Sequence, residues 1–290
     1  MKITTIIIFA ICFFTTEKAF SFGGLNLGSF WQNPEQPVFT QQLGQSPNSP
    51  STTTQVYGST IDSSGNLYIT GNTSGNLVSC NGVLVNCTGA SQGTVDYFVA
   101  KYNSSGVWQW TRQLGVASKS STSYGVAVDS SGNVFLTGFT TGSLSSCNGV
   151  STNCTGASKG FYDMFLVKYD SSGNYQWLQQ LGQTSKLIQP RNVGVDTSGN
   201  VYIGGQATAN LMTCAGVTAN CAGTSKGSQD YFISKYDTSG AWQWSMTLGQ
   251  SSKQFINYGF TIDSGNYVIL SGYSSGNAAS CAGVAANCSG

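Results

Sequence analysis

The sequence predicts an all-β fold, namely a β-propeller or a partial propeller made of four-stranded antiparallel blades. Three observations predict it. A 67-residue unit recurs along the chain, each unit contains short segments rich in Val, Ile, Tyr, Phe and Trp, and glycine-containing turns join these segments in pairs. Hairpin-linked sheets of four strands, repeated radially, are typical of propeller blades.

The period is the same at many anchor positions. Segment 123–142 (SYGVAVDSSGNVFLTGFTTG) is plainly related to segment 256–276 (INYGFTIDSGNYVILSGYSSG). Aspartates, tryptophans and lysines recur at intervals of 67 residues: Asp62, Asp129, Asp196 and Asp263; Trp110, Trp177 and Trp244; Lys101, Lys168 and Lys235. We therefore predict about three complete blades plus partial blades at both ends, with units near 56–115, 123–182 and 190–249 and a truncated unit at 256–290.

The second unit shows the expected strands, which are Tyr124–Asp129, Val134–Thr140, Asp163–Tyr169 and Tyr175–Leu181. The first two strands and the last two are both joined by the sequence DSSGN. An Asp, two small residues and a Gly favour a type I turn with a left-handed glycine, which closes a tight hairpin. The main rival is a β-solenoid, but its coils are shorter and its strands pair in parallel, so the hairpins count against it.

The repeat resembles a known family. Segments 125–140 (GVAVDSSGNVFLTGFT), 163–177 (DMFLVKYDSSGNYQW) and 180–182 (QLG) are similar to the SBBP family of bacterial β-propeller repeats. The likeness recurs in units one to three and in half of unit four. It implies a propeller fold and an exported bacterial protein, and it supplies no catalytic residues. The cysteine-bearing loop of each unit departs from the family pattern.

The N-terminus has the pattern of an export signal. Lys2 precedes an apolar stretch at Ile6–Phe14, and Ala19-Phe20-Ser21 has the small-x-small form of a signal peptidase site. We predict cleavage after Ser21 and hence an extracytoplasmic protein, whether secreted, at the cell surface or periplasmic. The apolar stretch is too short to span a membrane, and no other segment could be transmembrane.

The export signal and the repeat together predict three parts of the chain: a signal peptide at 1–21, an N-terminal leader at 22–35 and propeller repeats over 36–290. Lipidation at Cys12 is an alternative, but lipoprotein signals carry a small residue where this chain has the bulky Ile11.

Composition excludes several classes of function. Charged residues make up 8% of the chain, against roughly 25% in an ordinary soluble protein. The net charge is +1, so no attraction to nucleic acid is expected. The chain has no histidine, the commonest general base and metal ligand. We predict a protein that is not an enzyme and has no catalytic, cofactor-binding or metal site.

Every unit carries a pair of cysteines in the long loop between its second and third strands. The pairs are Cys80 with Cys87, Cys147 with Cys154, Cys214 with Cys221, and Cys281 with Cys288. In an oxidising compartment we expect a local disulfide in each loop. Closing a ring of roughly eight residues stabilises by about 2.5 kcal/mol. Zinc shared between two units is the alternative, disfavoured by the ligand spacing.

Strand direction divides the loops between two faces. The DSSGN turns share one face, and the Cys loops share the opposite face with the connections between blades. Long loops on a rigid scaffold are common binding sites. We predict that cations on this second face bind an unknown protein or glycan, or an acidic group; alternatively, they only solvate the rim. The candidate residues are Lys119, Lys159, Lys186, Arg191, Lys226 and Lys253.

Other candidate sites have simpler explanations. Trp108 and Trp110 share one side of a strand and could stack on a glycan, but their recurrence favours packing between blades. Each DSSGN turn offers one Asp, too few for a calcium loop. The aspartates that precede the third strand are expected to anchor loop backbone amides rather than to form a glycosidase pair; they are Asp96, Asp163 and Asp230.

The chain ends are expected to be incomplete blades. Segment 36–44 (QPVFTQQLG), around Val38–Leu43, resembles a fourth strand, whereas the last unit stops after its second strand and Cys loop. Three complete blades are few for a closed ring, so we expect an open arc or a portion of a longer protein. Exposed edge strands invite self-association. The sequence favours a binding module. The alternatives are a structural surface scaffold and a part of a larger enzyme or adhesin.

One mass measurement tests export and disulfide formation together. The intact, unreduced protein recovered from the exported fraction should begin at Phe22 and lack two hydrogens for each of four cysteine pairs. Peptide mapping should place each bridge within one loop. An unprocessed N-terminus, or free thiols in all four loops, would contradict the prediction.

Overall fold

The computed structural model describes residues 52–77, 91–144, 158, 160–208, 228–249 and 251–275, together with the backbone of 87–88, 154–155 and 221–222. All regular elements in these ranges are β-strands. Within the same ranges, no helix has the length and apolar character that crossing a bilayer requires.

The strands form four consecutive sheets. The first sheet contains β1 (Thr54–Ile61), β2 (Leu67–Thr73), β3 (Cys87–Thr88), β4 (Asp96–Tyr102) and β5 (Trp108–Leu114). The second contains β6 (Ser121–Val128), β7 (Val134–Thr140), β8 (Cys154–Thr155), β9 (Asp163–Tyr169) and β10 (Tyr175–Leu181). The third contains β11 (Ile188–Val195), β12 (Val201–Ala207), β13 (Cys221–Ala222), β14 (Asp230–Tyr236) and β15 (Trp242–Leu248). The fourth contains β16 (Phe255–Ile262) and β17 (Val268–Ser274). Each sheet is one blade.

The predicted blade architecture is confirmed. In the second blade β7, β9 and β10 have the predicted bounds, and the four long strands pair antiparallel in the order β6-β7-β9-β10. The first strand starts earlier than predicted, because Ser121–Ser123 pair with Gly138–Thr140 before the strand becomes apolar. The predicted strand at Val38–Leu43 lies outside the described residues.

A short fifth strand in each complete blade was not predicted. Cys154 and Thr155 pair in parallel with Leu178 and Gln179 of β10, the outermost long strand. The same pairing joins β3 to β5 and β13 to β15. Each Cys loop therefore crosses to the outer edge of its own sheet and covers part of it. Covered edges are less able to pair with another chain.

The hairpin turns have the predicted geometry. In the first turn, Gly65 N donates to Asp62 O and Asp62 N donates to Asn66 O, both at 3.0 Å. Gly65 has a φ of 78°, the left-handed region that glycine occupies without strain. In the fourth blade the sequence is one residue out of step, and Asn266 takes that position with a φ of 64°. Asparagine tolerates this conformation better than most residues.

Consecutive blades stack face to face, and the core lies between them. One core cluster joins Tyr97 and Trp110 of the first blade to Leu136 and Phe165 of the second. The rings of Tyr97 and Phe165 stack with centroids 4.8 Å apart. A second cluster joins Phe135 of the second blade to residues of the third. Because neighbours along a strand face opposite ways, Phe135 and Leu136 pack against different blades.

Glycine allows the first strands of neighbouring blades to approach closely. A Cβ added at Gly58 in β1 would lie 2.5 Å from the backbone oxygen of Tyr124 in β6. A Cβ added at Gly125 would lie 3.0 Å from the backbone nitrogen of Val193 in β11. A backbone atom cannot rotate away, so a side chain at Gly58 would force the two blades apart.

Gly58→Ala should therefore destabilise the protein by about 1–3 kcal/mol, as overpacking typically does. Gly259→Ala is the matched control, since Gly259 is the equivalent residue three units later and its added Cβ would meet only the hydroxyl end of the Ser271 side chain. Urea unfolding of both variants measures the difference. Equal losses of unfolding free energy would show that the approach of the blades is not the constraint.

Three turn carboxylates have a lowered pKa. Burial by itself would raise the pKa of Asp62, but hydrogen bonds from Asn66, Tyr68 and Ser64 outweigh this desolvation and hold it below its ordinary value. The pKa of Asp196, the equivalent residue of the third blade, is lowered by the same balance, and that of Asp237, in the second turn of the same blade, is lowered by hydrogen bonds from Ser239 and Ala241. The ionised carboxylate is therefore the form that stabilises the hairpin.

Acid should destabilise the protein through these turns. A carboxyl whose pKa is lower in the folded chain contributes stability above the unfolded value of about 3.9 and loses it as the pH falls through the folded value. Urea unfolding should give a constant free energy down to about pH 5 and a falling one below about pH 4. The triple variant Asp62→Asn, Asp196→Asn, Asp237→Asn should show a smaller fall; an unchanged acid dependence would contradict the assignment.

Candidate functional site

The face opposite the DSSGN turns is built around the short connections between blades. In the first connection Lys119 N donates to Val116 O at 2.9 Å, which closes a tight turn. Ser118 lies inside this turn with a φ of 59°. Ser185 and Ser252 take the same left-handed conformation in the next two connections. A non-glycine residue is strained there, so the surrounding contacts must hold the turn in place.

Hydrogen bonds from the preceding blade hold each turn. Lys119 O accepts from Thr94 N at 2.8 Å and from Thr94 Oγ1 at 2.9 Å. Lys186 O accepts from Phe161 N, and Lys253 O accepts from Ser228 N, both at 3.0 Å. The backbone of each lysine is therefore fixed between two blades.

The Cys loops start on the same face, as strand direction predicts. Thr141 N, just after β7, donates to Ser120 O of the first connection at 2.9 Å. A Cβ added at Gly142 would lie 2.8 Å from Lys119 Cγ, so the lysine stem packs over the start of the loop. Three segments thus meet around Lys119. They are the connection between the first two blades, the loop before β4, and the start of the second blade's Cys loop.

The acids at the start of each third strand support this face from below. Asp96 is fully buried; its Oδ2 accepts from Gln92 N and Gln113 Nε2, both at 2.9 Å, and its Oδ1 accepts from Gly93 N at 2.8 Å. Asp163 binds Gly160 N in the same way at 2.7 Å. The prediction that these acids anchor loop amides is confirmed at both positions.

A glutamine that sequence reasoning missed connects these acids to the Cys loops. Gln113 Nε2 donates to Gly75 O as well as to Asp96, and its Oε1 accepts from Leu77 N at 2.8 Å. Gln180 makes the same set of contacts in the second blade, with Gly142, Leu144 and Asp163. The signal was the repeated QLG at 113–115 and 180–182, whose glycine leaves room for the aspartate.

The six predicted cations do not share one location. Lys119, Lys186 and Lys253 are exposed on equivalent turns of the loop face. Lys159 and Lys226 lie outside the described residues. Arg191 was wrongly grouped with them, because β11 starts at Ile188 and Arg191 lies in the middle of this strand. Its guanidinium lies over the ring of Tyr124, 4.7 Å from the centroid.

The expected disulfide in each Cys loop stays a prediction. Cys87, Cys154 and Cys221 lie in the short parallel strands β3, β8 and β13, where their backbones pair with the outermost long strand. Their partners in the expected disulfides lie outside the described residues, as does the whole fourth pair: Cys80, Cys147, Cys214, Cys281 and Cys288.

The interpretation of the tryptophans as core residues is confirmed for Trp110 and Trp177, whereas Trp108, Trp242 and Trp244 are only partly buried. The prediction that Trp108 and Trp110 share one side of the strand was wrong, because they pack in different clusters on opposite faces of the sheet. Trp110 and Trp177 are buried. A Cβ added at Gly173 would lie 2.8 Å from the Trp110 ring, and one at Gly240 would lie 2.7 Å from the Trp177 ring. Each of these rings packs on a turn glycine of the next blade, and its faces are not available to a glycan.

Comparison with known proteins gives partial matches. The family model described as a beta-propeller repeat, SBBP, matches residues 38–77, 109–144 and 176–211. An uncharacterized WD repeat-containing protein, L264, of Acanthamoeba polyphaga mimivirus is 28% identical over 125 residues. The match covers 40% of this chain but 9% of that protein, so the chain spans only a small part of its relative's length.

A solved structure, a protein of unknown function from Bacteroides caccae, aligns with 74% of this chain and 52% of that chain. The sequence identity is 6% and the TM-score is 0.35, which is too low to add to the fold assignment.

The family matches agree with the sheets. The second match covers β5, β6 and β7, and the third covers β10, β11 and β12. The repeat therefore takes the outermost long strand of one blade together with the two inner strands of the next. Three segments of the chain thus match the SBBP beta-propeller repeat, and the second and third fall on the strands of adjacent stacked sheets.

Proposed function

We propose that the chain is an exported, non-enzymatic binding module whose loop face recognises an acidic polymer such as an anionic glycan. The signal-like N-terminus and the paired cysteines support export. The chain has no histidine, which supports a binding role over a catalytic one.

The observation that carries the proposal is the equivalence of the three connection turns. Lys119, Lys186 and Lys253 occupy the same position in successive blades, each exposed, and the backbone oxygen of each accepts a hydrogen bond from the preceding blade. Cations displayed at regular intervals on a rigid support suit a ligand whose negative charges also recur. Binding at several sites in one chain raises the overall affinity without any new type of contact.

Exposed aromatic surface lies beside one of these cations. Phe161 is 67% exposed, and its backbone nitrogen donates to Lys186 O. An apolar ring exposed on the residue that bonds the Lys186 backbone suits a sugar polymer with acidic substituents better than a simple inorganic anion, because such a ring can cover the apolar side of a sugar.

The test removes the three cations and compares binding to dextran sulfate with binding to neutral dextran. The triple variant Lys119→Gln, Lys186→Gln, Lys253→Gln should bind dextran sulfate about tenfold more weakly, since each exposed ion pair contributes about 0.2–1 kcal/mol. Wild-type binding should weaken as salt is added. Surface plasmon resonance with immobilised polymer measures both effects.

The matched control adds the same charge change on the opposite face. Ser63→Glu, Ser130→Glu, Ser264→Glu places three carboxylates at exposed positions of the first turn in blades one, two and four. If both triple variants lose affinity equally, only net charge matters and the loop face is not the site. If neither polymer binds wild type while the protein self-associates in sedimentation, the alternative of a structural scaffold is favoured.

A further inference from the structure

The first strand of every blade contains a β-bulge at the same position of the repeat. The pairing of the first two strands shifts register between Val56 and Gly58, and the same shift recurs in the other three blades. A bulge leaves one residue out of the pairing and redirects its side chain. The four bulged residues, which we name the bulge row, are Tyr57, Tyr124, Arg191 and Tyr258.

The bulge row runs along the free edges of the four sheets, and its first three members touch across the blade boundaries. The first strand lies at the end of the strand order in every sheet. The rings of Tyr57 and Tyr124 have centroids 5.0 Å apart, and the Arg191 guanidinium carbon lies 4.7 Å from the Tyr124 centroid. Tyr57 is 45% exposed and Tyr258 is 70% exposed, whereas Tyr124 and Arg191 are half-buried.

The two arginines of the chain have opposite surroundings. Arg112 is buried, and its guanidinium donates to backbone oxygens of Thr111, Ser172 and Gly173. Its donors are used to join the first blade to the second. Within the described part of the chain, the guanidinium of Arg191 makes its ring contact with Tyr124 and no hydrogen bond or ion pair. Its planar set of N–H donors is therefore open to a ligand.

The fold does not require arginine at this position, because three of the four blades have tyrosine there. The surroundings also depart from the repeat. Phe139 lies 5.9 Å from Tyr124 and Tyr162 lies 4.2 Å from Phe139, measured between ring centroids. The first and third blades have Asn72 and Gln206 where the second has Phe139, and the fourth has Tyr273. Aromatic rings and one uncommitted cation are thus concentrated where the second blade meets the third.

We propose that Arg191 and Tyr124, with Tyr57 beside them, form a binding site for a sugar ring that carries a carboxylate. The fork of guanidinium donors matches the two oxygens of a carboxylate, and such paired hydrogen bonds are stronger than neutral ones. The exposed ring of Tyr57, whose hydroxyl donates to Gln55 Oε1 at 2.6 Å, can cover the apolar side of a pyranose. The site lies on the first strands of the first three blades and not on the loop face, so it does not depend on the lysines.

The test is isothermal titration with a trimer of galacturonic acid and with its methyl ester, which has the same rings but no charge. Wild type should bind the acid and bind the ester at least tenfold more weakly. Arg191→Tyr gives the third blade the residue of the other three, so it should keep the wild-type unfolding temperature and lose at least tenfold in affinity. Arg191→Lys, which keeps the charge without the fork, should fall between them.

Two controls make the outcome decisive. The variant Lys119→Gln, Lys186→Gln, Lys253→Gln should bind the trimer as wild type does, even if it no longer binds dextran sulfate. Arg191→Gln replaces Arg191→Tyr if the latter unfolds. The proposal is overturned if wild type does not bind the trimer, if acid and ester bind equally, or if a folded variant without Arg191 keeps wild-type affinity. Loss of trimer binding in the lysine variant would instead move the site to the loop face.

Discussion

Burial of each sheet against the next is the interaction on which this protein depends. A single sheet of four strands has two apolar faces, and it hides both only by lying between two others. The second blade does so: Phe135 packs toward the third blade and Leu136 toward the first. At the fourth blade this arrangement stops within the described residues, and Tyr267 and Ile269 are 72% and 50% exposed. The equivalent of Ile269 in the second blade, Phe135, is fully buried.

Residues that recur in every unit maintain this stacking, and residues that vary are free for other roles. Three kinds of residue recur because each fills a fixed geometric need. They are the turn aspartates, the buried acids below the loop face, and the glycine that follows the outermost long strand of each complete blade. Arg191 breaks the recurrence of tyrosine, and the position of Phe139 varies between amide and aromatic residues. Positions that vary between equivalent blades are therefore not fixed by the stacking.

Local features of the blade were predictable, and long-range ones were not. The bounds of β7, β9 and β10 follow from short apolar segments between DSSGN turns, which are properties of adjacent residues. The start of β6 was missed because Ser121–Ser123 form a strand only by pairing with Gly138–Thr140. The short strand at Cys154–Thr155 was missed because its partner lies on β10, on the far side of β9. The bulges left a trace in the Tyr-Gly pairs of three units, since glycine inside a strand often marks a bulge.

The sequence by itself determined the repeat, its strands and turns, and the face on which each long loop starts. These depend on the alternation of side chains along a strand and on turn chemistry, both of which act over a few residues. Only the tertiary structure decided which side chains meet between blades. Arg112 reaches backbone oxygens 60 and 61 residues away, whereas Arg191 lies over a tyrosine ring, although both are arginines within predicted blades. Their environments depend on the spacing and rotation of neighbouring sheets, which no local pattern encodes.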